Sequence, residues 1–126
     1  IMHMETLKRI LVENPGLCAN GWEAAFEDFD RSRTHMTSPH GVEEFGRALA
    51  FVEARCRRTK AITTHAGSYG YKHMAENWHR HELGDTADCY VSNGAFIAAA
   101  LALGYRYRRL PGSPNCLFNF ARVRAA

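Results

Sequence analysis

Three side chains with acid–base capacity stand together in the segment Lys72-His73-x-x-Glu76. On a helix, Lys72 and Glu76 are i, i+4 neighbours, and His73 and Glu76 are i, i+3 neighbours. A histidine beside a carboxylate is a possible general base, which would indicate a small enzyme. The same spacing is typical of a surface ion pair, and no nucleophile motif surrounds it. The sequence leaves both interpretations open, and we assign no residue as catalytic.

Possible zinc ligands follow at His79 and His81, which could be joined by either Cys89 or His73. These are the ligand types that zinc prefers, but their spacing matches no closed structural site. A metal protein built on this region is therefore an alternative. The prediction is no metal and no cofactor.

The bulk composition is that of a globular domain. The chain has 126 residues, 46% hydrophobic and 23% charged, which fits one domain covering residues 1–126. The opening Ile1-Met2-His3-Met4 looks partly like a cloning remnant, and residues 1–3 are left out of the fold prediction. No secretory pattern opens the chain, and the apolar run Ala95–Leu103 is too short to cross a bilayer. The cysteines are widely spaced, which favours reduced thiols and a cytoplasmic protein; they are Cys18, Cys56, Cys89 and Cys116.

Charge is distributed unevenly along the chain. Residues 105–126 contain five arginines and no acid, a local charge of +5. Because the whole chain has a net charge of +3, the other 104 residues sum to −2. A second basic cluster occupies residues 55–60, while acidic residues concentrate at 23–30. Segregated charge favours a polyanion or a charged protein surface as the partner.

The elements that must position these groups are mostly helices. Apolar spacing and start or stop signals predict helices at Glu5–Glu13, Gly21 to about Phe29, about Pro39–Arg58, Ser68–Trp78 and about 93–103. Residues 30–40 and 79–89 are polar and read as loops. Ser38, Ser68 and either Ser92 or Asn93 are predicted N-caps, and Gly104 is predicted to end the last helix.

A basic hairpin is predicted after Gly104, from Tyr105–Leu110 and Cys116–Val123 around a Pro-Gly-Ser-Pro-Asn turn. Period-two alternation puts Tyr107 and Arg109 on one face and Arg106 and Arg108 on the other. The arginines are candidate phosphate contacts and Tyr107 a candidate for stacking on bases. The alternative is a solvated edge whose charges prevent aggregation.

The helix before this hairpin is nearly all apolar, which predicts that it is buried. Reading base edges needs Arg, Lys, Asn or Gln on an exposed face. Asn93 at its N-terminus is the best candidate contact. The sequence therefore predicts binding to the nucleic-acid backbone with low specificity.

The phrases SYGYKHMAENW and YVSNGAFIAAALALGYRYRR resemble a pattern in small uncharacterised bacterial proteins carried on plasmids and phage-like elements. The resemblance covers about residues 68–109 and rests on residues 68, 69, 72, 73, 76, 90 and 92–94. It implies no established activity, and this chain places an eleven-residue insert, His79–Cys89, between the two phrases. A mobile-element origin favours nucleic-acid binding or interference with a host complex.

Together these patterns predict a mainly helical α+β domain, with about five helices and a C-terminal two-stranded antiparallel hairpin, loosely winged-helix-like. The predicted role is a non-enzymatic accessory or regulatory protein that binds DNA or RNA. Its predicted contacts are Tyr69, Lys72, Asn93, Arg106, Tyr107, Arg108 and Arg109. The alternatives are a module that inhibits a host protein complex, and a small enzyme or metal protein using His73 and Glu76.

Overall fold

The computed structural model describes residues 2–85 and 87–124. In this part of the chain five helices accompany two small antiparallel sheets. The helices are α1 (Met2–Glu13), α2 (Phe29–Met36), α3 (Pro39–Arg55), α4 (Ser68–Leu83) and α5 (Asn93–Ala102). The strands are β1 (Leu17–Cys18), β2 (Gly21–Trp22), β3 (Tyr107–Arg109) and β4 (Cys116–Phe118). The predicted mainly helical α+β fold with a C-terminal antiparallel hairpin is confirmed.

The strongest local signals are confirmed at the ends of helices. The Ser38 hydroxyl accepts a hydrogen bond from the Gly41 amide at 3.2 Å, and Pro39 begins α3. The Ser92 hydroxyl caps α5 by accepting from the Ala95 amide at 3.1 Å. Gly104 follows α5 at a φ of +83°, a conformation that glycine adopts without strain.

The prediction for residues 21–36 is wrong. Gly21 and Trp22 form β2, which pairs with β1, and the helix of this region is α2, where a loop was predicted. The Trp22 amide donates to the carbonyl of Pro114, a residue far along the chain. In α2, Arg33 donates to the carbonyls of Leu11, Asn14 and Leu17. Long-range contacts therefore override the local apolar spacing that indicated a helix at 21–29.

Two further boundaries differ from the prediction. Helix α4 continues to Leu83 and ends at Gly84, so residues 79–83 are helical. Ser68 lies inside the first turn of α4 and is not its cap, because its hydroxyl accepts from the Cys116 amide in β4. Helix α3 ends at Arg55, which leaves residues 56–58 in an extended segment.

Helix α5 lies at the centre of the core, as its apolar sequence predicts. Residues 93–100 are all buried, and the helix packs against α1, α3 and α4. The Phe96 ring lies 6.0–6.2 Å, centroid to centroid, from the rings of Phe51, Tyr71, Phe118 and Phe120. Burial of this aromatic cluster connects α3 and α4 to the C-terminal hairpin.

Within the described residues, no helix combines the length and the apolar character needed to cross a membrane.

Candidate functional site: a lysine cleft and a basic face

Lys72 is buried in the first turns of α4, with 5% of its surface exposed. Its ammonium nitrogen lies 2.9 Å from Glu76 Oε2. The same nitrogen lies 4.6 Å from the Tyr90 ring centroid and 5.3 Å from that of Tyr69. A cation between aromatic rings is stabilised by their quadrupoles. The structure therefore places Lys72 in a neutralised pair, and not on an exposed cationic surface.

Glu76 uses both carboxylate oxygens. Oε1 lies 2.9 Å from His73 Nδ1, and Oε2 accepts from the Val91 amide at 3.1 Å as well as from Lys72. Burial by itself raises the Glu76 pKa, but hydrogen bonds from Lys72, Val91 and His73 and the Lys72 charge outweigh burial and lower that pKa. A carboxylate held in this way is a weak general base, so the geometry favours an anchoring role for Glu76.

Glu44 in α3 makes the same kind of contact, and sequence reasoning missed it. Its Oε1 accepts from the Ser92 amide at 3.1 Å, and its Oε2 lies 3.1 Å from His35 Nε2. Glu44 and Glu76 thus bind consecutive backbone amides just before α5, where negative charge stabilises a helix. No local pattern identifies Glu44, because its partner is 48 residues away.

Asn93 connects three separate segments. Its side-chain nitrogen donates to the Asn20 carbonyl and to Asn115 Oδ1, each at 2.9 Å. The residue is 6% exposed, and its Oδ1 is buried with no hydrogen-bond partner among the described residues. Asn93 therefore holds the β1–β2 turn against the hairpin turn and keeps one unused acceptor.

These segments enclose a cleft of about 550 Å³, which we call the lysine cleft. Its walls come from Asn20 and Glu23, from Tyr69 and Lys72 in α4, from Tyr90 and Asn93, and from the hairpin turn at 114–115. The volume lies within the range of small-ligand sites. Tyr69 and Tyr90 are 51% and 52% exposed.

All three residues of β3 are exposed, but alternate residues differ in their contacts. Tyr107 stacks on Trp22, with ring centroids 5.0 Å apart and planes at 13°. Arg109 Nη2 donates to the Trp22 carbonyl at 3.1 Å, and its guanidinium lies over the same ring. Tyr107 and Arg109 thus attach β3 to the body of the protein although both are exposed, and Arg106 and Arg108 are exposed as well.

The two basic clusters of the sequence meet in the fold. The extended segment after α3 pairs with the chain after β4 through an Arg58–Phe120 bridge and a 2.9 Å hydrogen bond from the Ala121 amide to the Arg57 carbonyl. Arg58 also donates to the carbonyls of Leu103 and Gly104 at the end of α5. Around this bridge, Arg58, Lys60 and Arg106 line one hollow, and Arg55, Arg57, Arg122 and Arg124 line another. We call these seven residues, together with the neighbouring Arg108, the basic face.

The basic face is not neutralised. Within the described residues, none of its eight side chains lies within 4 Å of a carboxylate oxygen. Two hollows of about 500 and 520 Å³ lie on it, and the residues that line them include no acid. Arg55 is partly buried, and the other seven side chains are exposed.

The zinc ligands considered from the sequence are not brought together. His79 Nε2 lies 2.8 Å from the Arg47 carbonyl, and the Cys89 thiol donates to the Ala87 carbonyl. In the described part of the chain, the group of potential ligands that does assemble is His40, Glu43 and Asp88. That group is fully on the surface, and Arg47 pairs with both of its carboxylates.

Comparisons of this chain with protein families, with curated proteins and with solved structures gave no match.

Proposed function

We propose that this protein binds nucleic acid through the basic face, mainly by contacts to the phosphate backbone. The observation that carries the proposal is the meeting of two sequence-distant basic clusters at the Arg58–Phe120 bridge, beside two hollows whose lining residues include no acid. Charges at residues 55–60 and 106–124 repel one another when they are close. A polyanion that neutralises them together supplies a physical reason for the arrangement.

The free energy of such binding comes largely from counterion release. Each phosphate that an arginine or lysine neutralises releases condensed cations from the nucleic acid. Arg57, Lys60, Arg106, Arg108 and Arg122 are exposed side chains for this role. Arg58 contributes charge, but its guanidinium also binds the C-terminal carbonyls of α5, so part of its role is structural.

Low sequence specificity follows from the position of α5. The helix that precedes the hairpin is buried, so it presents no polar surface to a groove. In this proposal the β3–β4 hairpin acts like the wing of a winged-helix protein, with Arg106 and Arg108 on the phosphates. The regulatory or accessory role, like the link to mobile elements, is part of the same proposal.

The test measures binding to a fluorescein-labelled single-stranded DNA oligonucleotide by fluorescence anisotropy at a series of salt concentrations. We expect binding at about 50 mM salt that weakens steeply as salt rises. The double variant Arg57→Glu/Arg106→Glu should weaken binding and reduce the slope of log K against log salt by about 1.4, since each phosphate contact to a single strand contributes about 0.7.

The matched control is Lys8→Glu/Arg31→Glu, which changes the net charge equally at exposed positions outside the basic face. This variant should keep the wild-type salt slope. No binding at low salt, or equal losses in the two double variants, would contradict the proposal. If the protein purified from its host after nuclease treatment instead carries an acidic protein partner, the result would favour the alternative function, inhibition of a host protein complex.

A further inference from the structure

We infer that the lysine cleft holds one unstacked base of a single-stranded nucleic acid. The inference rests on the proposed function and adds a second site, with a different chemistry, to the basic face. It assigns the cleft a ligand that is planar and carries hydrogen-bond donors and acceptors on its edge.

The aromatic walls favour a flat ring. Tyr69 and Tyr90 each leave about half of their surface to solvent, although most large hydrophobic side chains among the described residues are buried or partly buried. Both rings are held in place by the buried Lys72 cation at 5.3 and 4.6 Å. Stacking of a base on such rings is a recurrent way of binding single strands, because every base has a π-face.

The polar groups of the cleft favour a base edge over a phosphate. Lys72 is already neutralised by Glu76, and Glu23 adds a further carboxylate to the wall, so the cleft has no excess of positive charge. Lys72 retains N–H groups beyond the one that it donates to Glu76, and Asn20 and Asn115, which carry donors and acceptors, line the same space. Donors and acceptors in one pocket match the mixed edge of a base, whereas a phosphate offers acceptors alone.

Tyr90 also lines the cleft, and its hydroxyl is neutral at pH 7, because burial raises its pKa further above the ordinary value of 10.0.

The cleft and the basic face are connected by one element. Arg106 lies just before β3, and the turn residues Pro114 and Asn115 that line the cleft lie beyond the other end of the hairpin. Three strand residues span roughly 10 Å at about 3.3 Å each. A strand of a few nucleotides can therefore place phosphates on Arg106 and Arg108 and a base in the cleft.

The test compares two labelled single strands of equal charge, an eight-nucleotide oligothymidylate and an eight-residue abasic oligonucleotide, by anisotropy at low salt. We expect the wild-type protein to bind the thymidylate about fivefold or more tightly, the lower limit for stacking one base. Tyr69→Ala should weaken thymidylate binding to the abasic level and leave abasic binding unchanged. Tyr69→Phe, which keeps the ring, should retain most of the preference.

Val12→Ala, at a position 79% exposed on α1, is the control and should change neither affinity. Equal wild-type affinities for the two oligonucleotides would overturn the base site while leaving the basic face intact. Equal losses for both ligands in Tyr69→Ala would overturn it as well. If neither oligonucleotide binds, the proposed function fails and this inference fails with it.

Discussion

Lys72 and Glu76 illustrate how a pair typical of a helix surface becomes part of the interior. Both are nearly buried and lie 2.9 Å apart, and the Lys72 ammonium also lies over the rings of Tyr69 and Tyr90. Removing two charges from water is costly, and the pair recovers this cost only with further hydrogen bonds. Glu76 obtains them from the Val91 amide and from His73. At this scale the pair is an anchor for the chain before α5.

Glu76→Gln should therefore remove the contribution of the Glu76 charge to the pH dependence of the free energy of unfolding. Because the folded-state pKa of Glu76 lies below its ordinary value of 4.5, its charge stabilises the fold above that pH, and this contribution is lost as pH falls through the folded-state pKa. We expect the variant to be less stable by about 2 kcal/mol at pH 7, the loss of one charged hydrogen bond. The difference should narrow below about pH 4.5 in urea unfolding followed by circular dichroism.

The control for this experiment is Glu82→Gln, an exposed carboxylate on the same helix. It should follow the wild-type pH profile. A gap between wild type and Glu76→Gln that stays constant down to pH 3 would show that the Glu76 charge does not stabilise the fold.

Helix α5 depends on a close approach of backbone at its first turn. The Gly94 amide donates to the Ala19 carbonyl at 2.8 Å, and a Cβ at this position would collide with the Cys18 carbonyl oxygen. Glycine is needed here for space, not for an unusual φ. This contact is what allows the β1–β2 turn to form one wall of the lysine cleft.

Two glycine substitutions should accordingly have opposite effects. Gly94→Ala is expected to destabilise the protein by about 3 kcal/mol or more, because backbone must move to admit the methyl group. Gly70→Ala, within α4, meets only the Ala66 Cβ at an ordinary 3.5 Å and should stabilise by about 0.5–1 kcal/mol. Urea unfolding of the two variants and the wild type, compared at their midpoints, measures both changes in the free energy of unfolding. Destabilisation by Gly70→Ala, or tolerance of Gly94→Ala, would refute the packing described.

For the whole molecule, the core isolates the thiols from solvent while the charges gather outside. All four cysteines are free and buried. Burial, partly offset by the Arg55 charge, raises the pKa of the Cys56 thiol to about 12. Burial also raises the pKa of the Cys116 thiol to about 11, partly offset by the Arg109 charge. Thiols in this condition are poor nucleophiles, since the thiolate is the reactive form.

We therefore expect a thiol reagent such as Ellman's reagent to label the native protein at pH 8 only at the rate at which the structure opens. Mild denaturant should accelerate the reaction strongly. A Val12→Cys variant, which places a thiol on the exposed side of α1, should gain one group that reacts at once. Rapid labelling of the wild-type cysteines before unfolding would contradict the burial described.

Much of the fold can be predicted from local patterns, because capping and periodicity act over a few residues. Ser38, Ser92 and Gly104 mark helix ends correctly for this reason. Trp22 contributed to the incorrect helix prediction at residues 21–29, because its ring instead stacks on Tyr107, 85 positions further along the chain. Of the candidate site, the hairpin arginines are visible in the sequence, whereas Glu44 and the walls at Asn20 and Asn115 are not.

The sequence by itself determined that α5 is core and that Arg106 and Arg108 share one side of a strand, because apolar content and alternation are properties of contiguous residues. Only the tertiary structure decided that Lys72 is buried and neutralised, while the Arg57 segment lies beside Ala121 to form the basic face. Desolvation and charge proximity depend on which distant segments pack together, and that is settled by the core as a whole.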